Sequence, residues 1–253
     1  MSETVSQNNA SGPLVVLGIV GGVASGKSVV AAEFERLGAK RIDGDRLGHE
    51  VLQDPQVCQA VRLRWSDAVM DDEGRVNRAA LARMVFAPRE RDASGPNRGE
   101  PDFRDQAYSN LNCSKLNYSD LNYLEQITHP RIKERIRQQI AALRDELLGG
   151  AKKPNSETKH LVVLDAAVML KAGWDDVCDF LAFVDAPQSV RLHRALARGW
   201  SESDFSAREE AQESVIHKRK LADFVIDASG SIAQTRKQVE QLYNSLVPAE
   251  QHG

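Results

Sequence analysis

Residues 14–37 read LVVLGIVGGVASGKSVVAAEFERL: an apolar run, a glycine-rich turn and a helical pattern in immediate succession. The run from Leu14 to Val20 is short, rich in β-branched residues and without polar alternation, which suits a strand buried on both faces of a parallel sheet. The turn, Gly21-Gly22-Val23-Ala24-Ser25-Gly26-Lys27-Ser28, has the spacing G-x-x-x-x-G-K-S. Its glycines let the backbone curl until successive N–H groups point inward at phosphate oxygens. Val29, Val30, Ala32, Phe34 and Leu37 then recur at helical spacing, and Gly38 sits where a helix commonly stops. A helix starting there turns its positive end on the same anion. In such a loop Lys27 reaches the β- and γ-phosphates of ATP, the Ser28 hydroxyl ligates Mg²⁺, and Val29 is the last residue of the candidate nucleotide site. A glycine-rich turn that holds no ligand would match the same spacing, but here strand, loop and helix fall in the required order.

At 253 residues the chain is long enough for a full α/β core with an inserted subdomain. A net charge of -3 gives no reason to expect a nucleic-acid-binding surface. Cys58, Cys113 and Cys178 lie far apart and form no C-x-x-C, which fits a reduced, cytoplasmic compartment. No apolar stretch approaches membrane-spanning length. Residues 1–13 lack both a basic start and an apolar signal core, and read as a polar, flexible tail rather than an export signal. The partners expected are therefore small molecules, with no nucleic acid and no membrane, for a monomer or weak homo-oligomer.

After the loop, Lys40-Arg41-Ile42-Asp43-Gly44-Asp45 reads as a short second strand ending in two carboxylates. In an extended segment residues two apart face the same way, so Asp43 and Asp45 would project together at the carboxyl end of the sheet, where ligands gather. The alternative is that one of them N-caps a helix beginning near Arg46. Leu161–Asp165 and Phe180–Asp185 are two further buried strands, each ending in Asp, and Asp165 stands where a carboxylate could hold Mg²⁺ through water. Arg191, Arg194 and Arg198 fall three and four apart, so a helix would place them on one side. Asp223 to Ile226 reads as a fifth strand and Ile232 to Leu246 as the closing helix.

Gly18-Ile19-Val20-Gly21-Gly22-Val23-Ala24-Ser25-Gly26-Lys27-Ser28, with Phe34, Leu37-Gly38 and Ile42-Asp43-Gly44-Asp45, resembles the dephospho-CoA kinase family, which typically reads G-L-T-G-G-I-G-S-G-K-S, then F, L-G and I-D-A-D. The likeness continues through Gly74-Arg75-Val76-Asn77-Arg78, His129-Pro130-Arg131-Ile132, Val162-Val163-Leu164-Asp165, Val184-Asp185-Ala186-Pro187, Arg194 with Arg198, Gln212, and Ala222-Asp223-Phe224-Val225-Ile226-Asp227. These matches run in the family's order from about Leu14 to about Leu246.

The resemblance implies an α/β, three-layer P-loop kinase fold: a five-stranded parallel sheet, an inserted helical acceptor-binding subdomain and a helical lid. Residues 14–46, 128–190 and 222–247 would form the nucleotide-binding core. Residues 47–127 would form the subdomain that covers dephospho-CoA, and 191–221 a lid that closes over ATP. On this reading Asp45 orients the acceptor hydroxyl and takes its proton, while Lys27, Arg194, Arg198 and Mg²⁺ stabilise charge on the phosphoryl oxygens. Asp43 and His129 approach the acceptor; a lone His at a helix start, as Thr128-His129-Pro130 suggests, is also commonly structural. A solvated basic helix face remains the alternative for the arginines.

Three features depart from the family. Residues 88–122, rich in Pro, Gly, Asn and Ser with a short five-residue repeat, read as a mobile insertion where relatives have a shorter connection. Ala167-Val168-Met169-Leu170-Lys171 replaces P-L-L-F-E, and Val215 stands where a lid arginine is usual. The rival readings are another small-molecule P-loop kinase, acting on a nucleotide or sugar acid, and a non-catalytic ATP or CoA sensor. A GTPase is disfavoured because Asp45-Arg46-Leu47-Gly48 follows the loop too closely and no N-K-x-D exists. A dinucleotide site is disfavoured because no G-x-G-x-x-G follows the first strand.

Overall fold

The computed structural model describes residues 12–86, 118–149 and 159–248. Nearly all of the expected N-terminal tail and of the expected insertion, and the last residues of the chain, lie outside these ranges. The chain divides into two compact units, one of Met1–Leu47 with Ile132–Gly253 and one of Gly48–Arg131.

The larger unit is built on five strands: β1 (Leu14–Gly21), β2 (Lys40–Asp43), β3 (His160–Asp165), β4 (Phe180–Asp185) and β5 (Phe224–Asp227). All neighbours are parallel, in the order β2-β3-β1-β4-β5. Every residue of β1, the central strand, is buried, which is why the run tolerates no polar position. Val15, Leu17 and Ile19 pack in one cluster with Val30 and Phe34 of α1 (Lys27–Arg36) and with Val239, Leu242 and Leu246 of α9 (Ile232–Leu246). Two carboxylates fix strand starts: the Val16 N–H donates to Asp179 at 2.7 Å and the Leu181 N–H to Asp223 at 2.8 Å. The buried face of α1 differs from the periodic set read in the sequence. Val29 and Ala32 are exposed, whereas Ala31 and Glu33 are buried, the carboxylate of Glu33 being paired with Arg36 at 2.7 Å and Arg236 at 3.2 Å.

Two sequence expectations are corrected in the elements that follow. The second strand stops at Asp43, and α2 (Gly44–Val51) begins at once, so the alternation that would project Asp43 and Asp45 together does not apply. Asp43 instead caps α2, accepting the Arg46 N–H at 2.9 Å. The basic segment also ends sooner than its spacing suggests: α6 (Gln188–Leu196) carries Arg191 and Arg194, but Arg198 lies beyond its end and is exposed. Two short helices follow, α7 (Glu202–Glu210) and α8 (Val215–Leu221). Arg208 lies on α7, while Gln212 falls in the link between the two.

The smaller unit is helical. It holds α3 (Pro55–Trp65), a single 3₁₀ turn (Ser66–Val69), α4 (Arg78–Phe86) and the first part of α5 (Tyr118–Gly149), around buried Val57, Val61, Trp65, Val69, Val76, Leu81 and Val85. Residues 118–122, read from composition as part of a mobile insertion, belong to α5. Arg64 holds this end by donating to Asp120 at 2.6 Å and Ser119 at 3.0 Å, with its guanidinium 5.0 Å from the Tyr123 ring. Nor does a helix start at Thr128-His129-Pro130, because α5 runs through Pro130 without ending. A proline inside a helix leaves carbonyls of the preceding turn short of N–H donors. The carbonyl that Pro130 leaves without its helical donor is that of Gln126; beside it the Arg131 guanidinium donates to Ile127 O at 2.8 Å, and one turn earlier the Thr128 hydroxyl donates to Leu124 O at 2.7 Å. Among the described residues no helix is long and apolar enough to cross a membrane.

Candidate active site

The loop between β1 and α1 is shaped by its backbone. Gly26 has φ 110°, a conformation that a side chain would strain, and the N–H groups of Val29 and Val30 both return to its carbonyl as α1 starts. A Cβ on Gly21 would lie 2.7 Å from Ser25 Oγ and 2.8 Å from Val184 O, so only glycine fits. Ala24 also takes a positive φ, 57°, at a position where a Cβ is disfavoured. The Ser25 hydroxyl is buried and has no hydrogen-bond partner among the described residues. Gly22 and Val23 are buried, and Ser28 and Val29, at the start of α1, are exposed.

Lys27 Nζ turns back over the loop, donating to Gly21 O and Gly22 O, each at 3.3 Å. The residue as a whole is half-buried, but its ammonium end lies deep, and loss of water lowers its pKa from the ordinary lysine value. Asp165 and Asp45 act against that shift from close by. Asp165, at the end of β3, is paired with Arg41 of β2 at 2.7 Å.

Asp45 sits in the first turn of α2, and its Oδ1 accepts the Ala167 N–H at 3.5 Å, a long contact. Partial loss of water raises the pKa of its carboxyl, and Asp43 and Asp165 add to the rise; the Ala167 N–H and Lys27 oppose it. The site therefore brings Lys27, Asp45, Asp43 and Asp165 into one electrostatic group. A proline at position 167, which the resemblance would place there, could not supply that donor.

The arginines are placed differently from one another. Arg194 donates to Ser25 O at 2.9 Å and Ala228 O at 2.5 Å, bracing the loop from behind. Arg198 is exposed, with no ion pair among the described residues. Arg191, read from the sequence only as a member of the basic series with Arg194 and Arg198, is 4% exposed: it donates to Ala186 O at 3.1 Å and Val23 O at 3.4 Å, pairs with Glu209 of α7 and lies over Phe205. Lys218 of α8 is also buried and reaches Gly21 O. Nothing in the pattern Val215–Leu221 separates Lys218 from its basic neighbours; only its burial does. His129 lies half-buried on α5, in the Gly48–Arg131 unit.

The family model described as Dephospho-CoA kinase matches residues 15–112 and 115–234. The chain belongs to the dephospho-CoA kinase family. It is 33% identical to the dephospho-CoA kinase of Syntrophotalea carbinolica over 238 residues, covering 93% of each chain. With that of Aquifex aeolicus it shares 31% over 231 residues, covering 91% of this chain and 96% of the other. A crystal structure of a Thermus thermophilus protein superposes with a TM-score of 0.63 at 25% identity, covering 92% of this chain and 98% of the other. Dephospho-CoA kinase from Campylobacter jejuni has the same fold, with a TM-score of 0.57 at 19% identity, covering 94% and 100%. The five-stranded parallel sheet is thus that of the P-loop kinases. Ala167 and Lys171 line the same cavity as Gly21, Lys27 and Lys218, and Val215 lies against Gly22.

Proposed function

We propose that this chain transfers the terminal phosphoryl group of ATP to the ribose 3′-hydroxyl of dephospho-CoA, giving ADP and coenzyme A in the cytoplasm. The observation that carries this reading is Lys27 held over the phosphate loop and coupled to Asp45 and Asp165, in a chain of this family. The acceptor oxygen attacks the γ-phosphorus as the bond to the β–γ bridging oxygen breaks, and ADP leaves with that electron pair. Asp45 holds the hydroxyl and takes its proton as the transfer completes; a carboxyl with a raised pKa is the better base for that task. Lys27 neutralises charge on the phosphoryl oxygens.

A magnesium ion fits the residues around the loop, which offer hard oxygen donors. Among the described residues no cluster of three His, Cys, Asp or Glu could cage a metal, so phosphates and water would supply most of its shell. Ser28 would hold it directly and Asp165 through water, and the ion would offset negative charge on the phosphates.

The test is a coupled assay of ADP release with and without dephospho-CoA, with nucleoside monophosphates as rival acceptors. Release stimulated by dephospho-CoA alone is expected. Release stimulated by a nucleoside monophosphate instead would point to a different small-molecule kinase. ATP binding with no acceptor-dependent release would make the chain a sensor.

A further inference from the structure

We infer that Lys218 is a second phosphate-binding ammonium, acting with Lys27 on the terminal phosphoryl group of ATP. The inference rests on the ATP-dependent reading above and adds to it a group from α8, a helix to which the phosphate-loop motif does not extend.

The geometry is specific. Lys218 is 4% exposed, and its Nζ donates to Gly21 O at 3.4 Å. Lys27 Nζ donates to the same oxygen at 3.3 Å, so two ammonium groups converge on one carbonyl at the mouth of the loop. The other partner of Lys218 is neutral, Gln212 Oε1 at 2.9 Å. Among the described residues no carboxylate lies within ion-pairing distance of it. Both lysines line one cavity with Gly21, Ala167, Gln212 and Glu213.

Burying a cation without an anionic partner is costly, and burying two side by side costs more. Asp165 and Asp45 offset Lys27, and Glu213 and Glu209 offset Lys218 only in part, so the two ammonium groups held against the phosphate loop are arranged for a polyanion that arrives later. The charged groups facing Lys218 from the elements around it are Lys27 and Arg191, which repel it, and Glu213 and Glu209, which offset them in part. With burial as the largest cause, they bring its pKa down to about 8, so most of the ammonium stays charged at neutral pH. A phosphoryl group placed between the two lysines would hold both fully protonated. Lys218 would add a second ammonium beside the motif lysine, at the carbonyl that both now share.

A binding ratio tests this without any acceptor. In Lys218→Met, affinity for ATP with magnesium should fall about tenfold or more, while affinity for ADP stays within about twofold, because only ATP carries the group that Lys218 holds. Turnover should fall about 100-fold with KM for the acceptor little changed. The melting temperature of the ligand-free variant should hold or rise, since an apolar chain replaces a buried ammonium that nearby carboxylates offset only in part. Lys218→Arg should keep the preference for ATP, and it serves the same comparison if the methionine variant fails to fold. Equal losses for ATP and ADP, unchanged ATP affinity, or a lower melting temperature with full turnover would each overturn the inference. A wild-type protein that binds ATP but does not phosphorylate dephospho-CoA would refute the proposed reaction while leaving this ratio interpretable. A wild-type protein that binds no ATP would end both.

Discussion

Asp45 shows how one carboxyl is tuned by its neighbours. Its pKa stands above the ordinary 3.8 in the folded chain, so folding favours its protonated form. The folded state therefore binds more proton between 3.8 and the raised value, and the contribution of Asp45 to stability falls as pH rises through that window. At neutral pH the ionised group is therefore a net cost. Asp45→Asn should lose turnover by about 100-fold or more while ATP affinity changes little, and should melt at a higher temperature at pH 7. The thermal gain should vanish below the ordinary carboxyl range; a variant that melts lower at pH 7 would contradict the raised pKa. Ala167 supplies the second test at this scale. Its N–H lowers the Asp45 pKa, so Ala167→Pro, which restores the family residue, should move the acid limb of the turnover profile to higher pH. An unmoved limb would show the 3.5 Å contact to be idle. Lys27 is legible in the sequence because the phosphate-loop motif places it, and Asp45 through the family resemblance and not through its strand alternation, whereas Lys218 and the burial of Arg191 gain meaning only once α6 and α8 pack against the loop.

Among the elements, those whose signals are local match their sequence patterns well. The closing helix α9 spans the residues its pattern outlined, because Ser231 and Gln234 form a reciprocal cap: Gln234 N–H to Ser231 Oγ at 3.3 Å and Ser231 N–H to Gln234 Oε1 at 2.9 Å. Ser231→Ala should cost about 1 kcal/mol in urea unfolding, with turnover unchanged. The helix α5 misleads for the opposite reason. His129-Pro130 has the look of a helix start, since proline is favoured in a first turn, yet the helix runs through it from Tyr118, with buried Ile132, Ile136 and Ile140 following at helical spacing. The same competition shortens β2: the Asp43 carboxylate satisfies α2 better than another strand residue would satisfy an edge.

At the scale of the molecule, a loop that binds ATP ties stability to ligand. ATP with magnesium at 100 times its dissociation constant should add about 2.7 kcal/mol, read as a rise in melting temperature. Lys27→Ala should abolish most of that rise; an undiminished rise would separate binding from the loop. The order of elements, the parallel sheet and the phosphate loop were determined by sequence alone, because buried strands, glycine turns and caps act over a few residues. Which residues surround the loop was decided only by tertiary structure. Arg41 meets Asp165 across two strands, Arg194 reaches back to Ser25, and Lys218 shares a carbonyl with Lys27, each across a long stretch of chain. Those meetings depend on burial and on electrostatics between distant segments, and neither is written in the spacing of one segment.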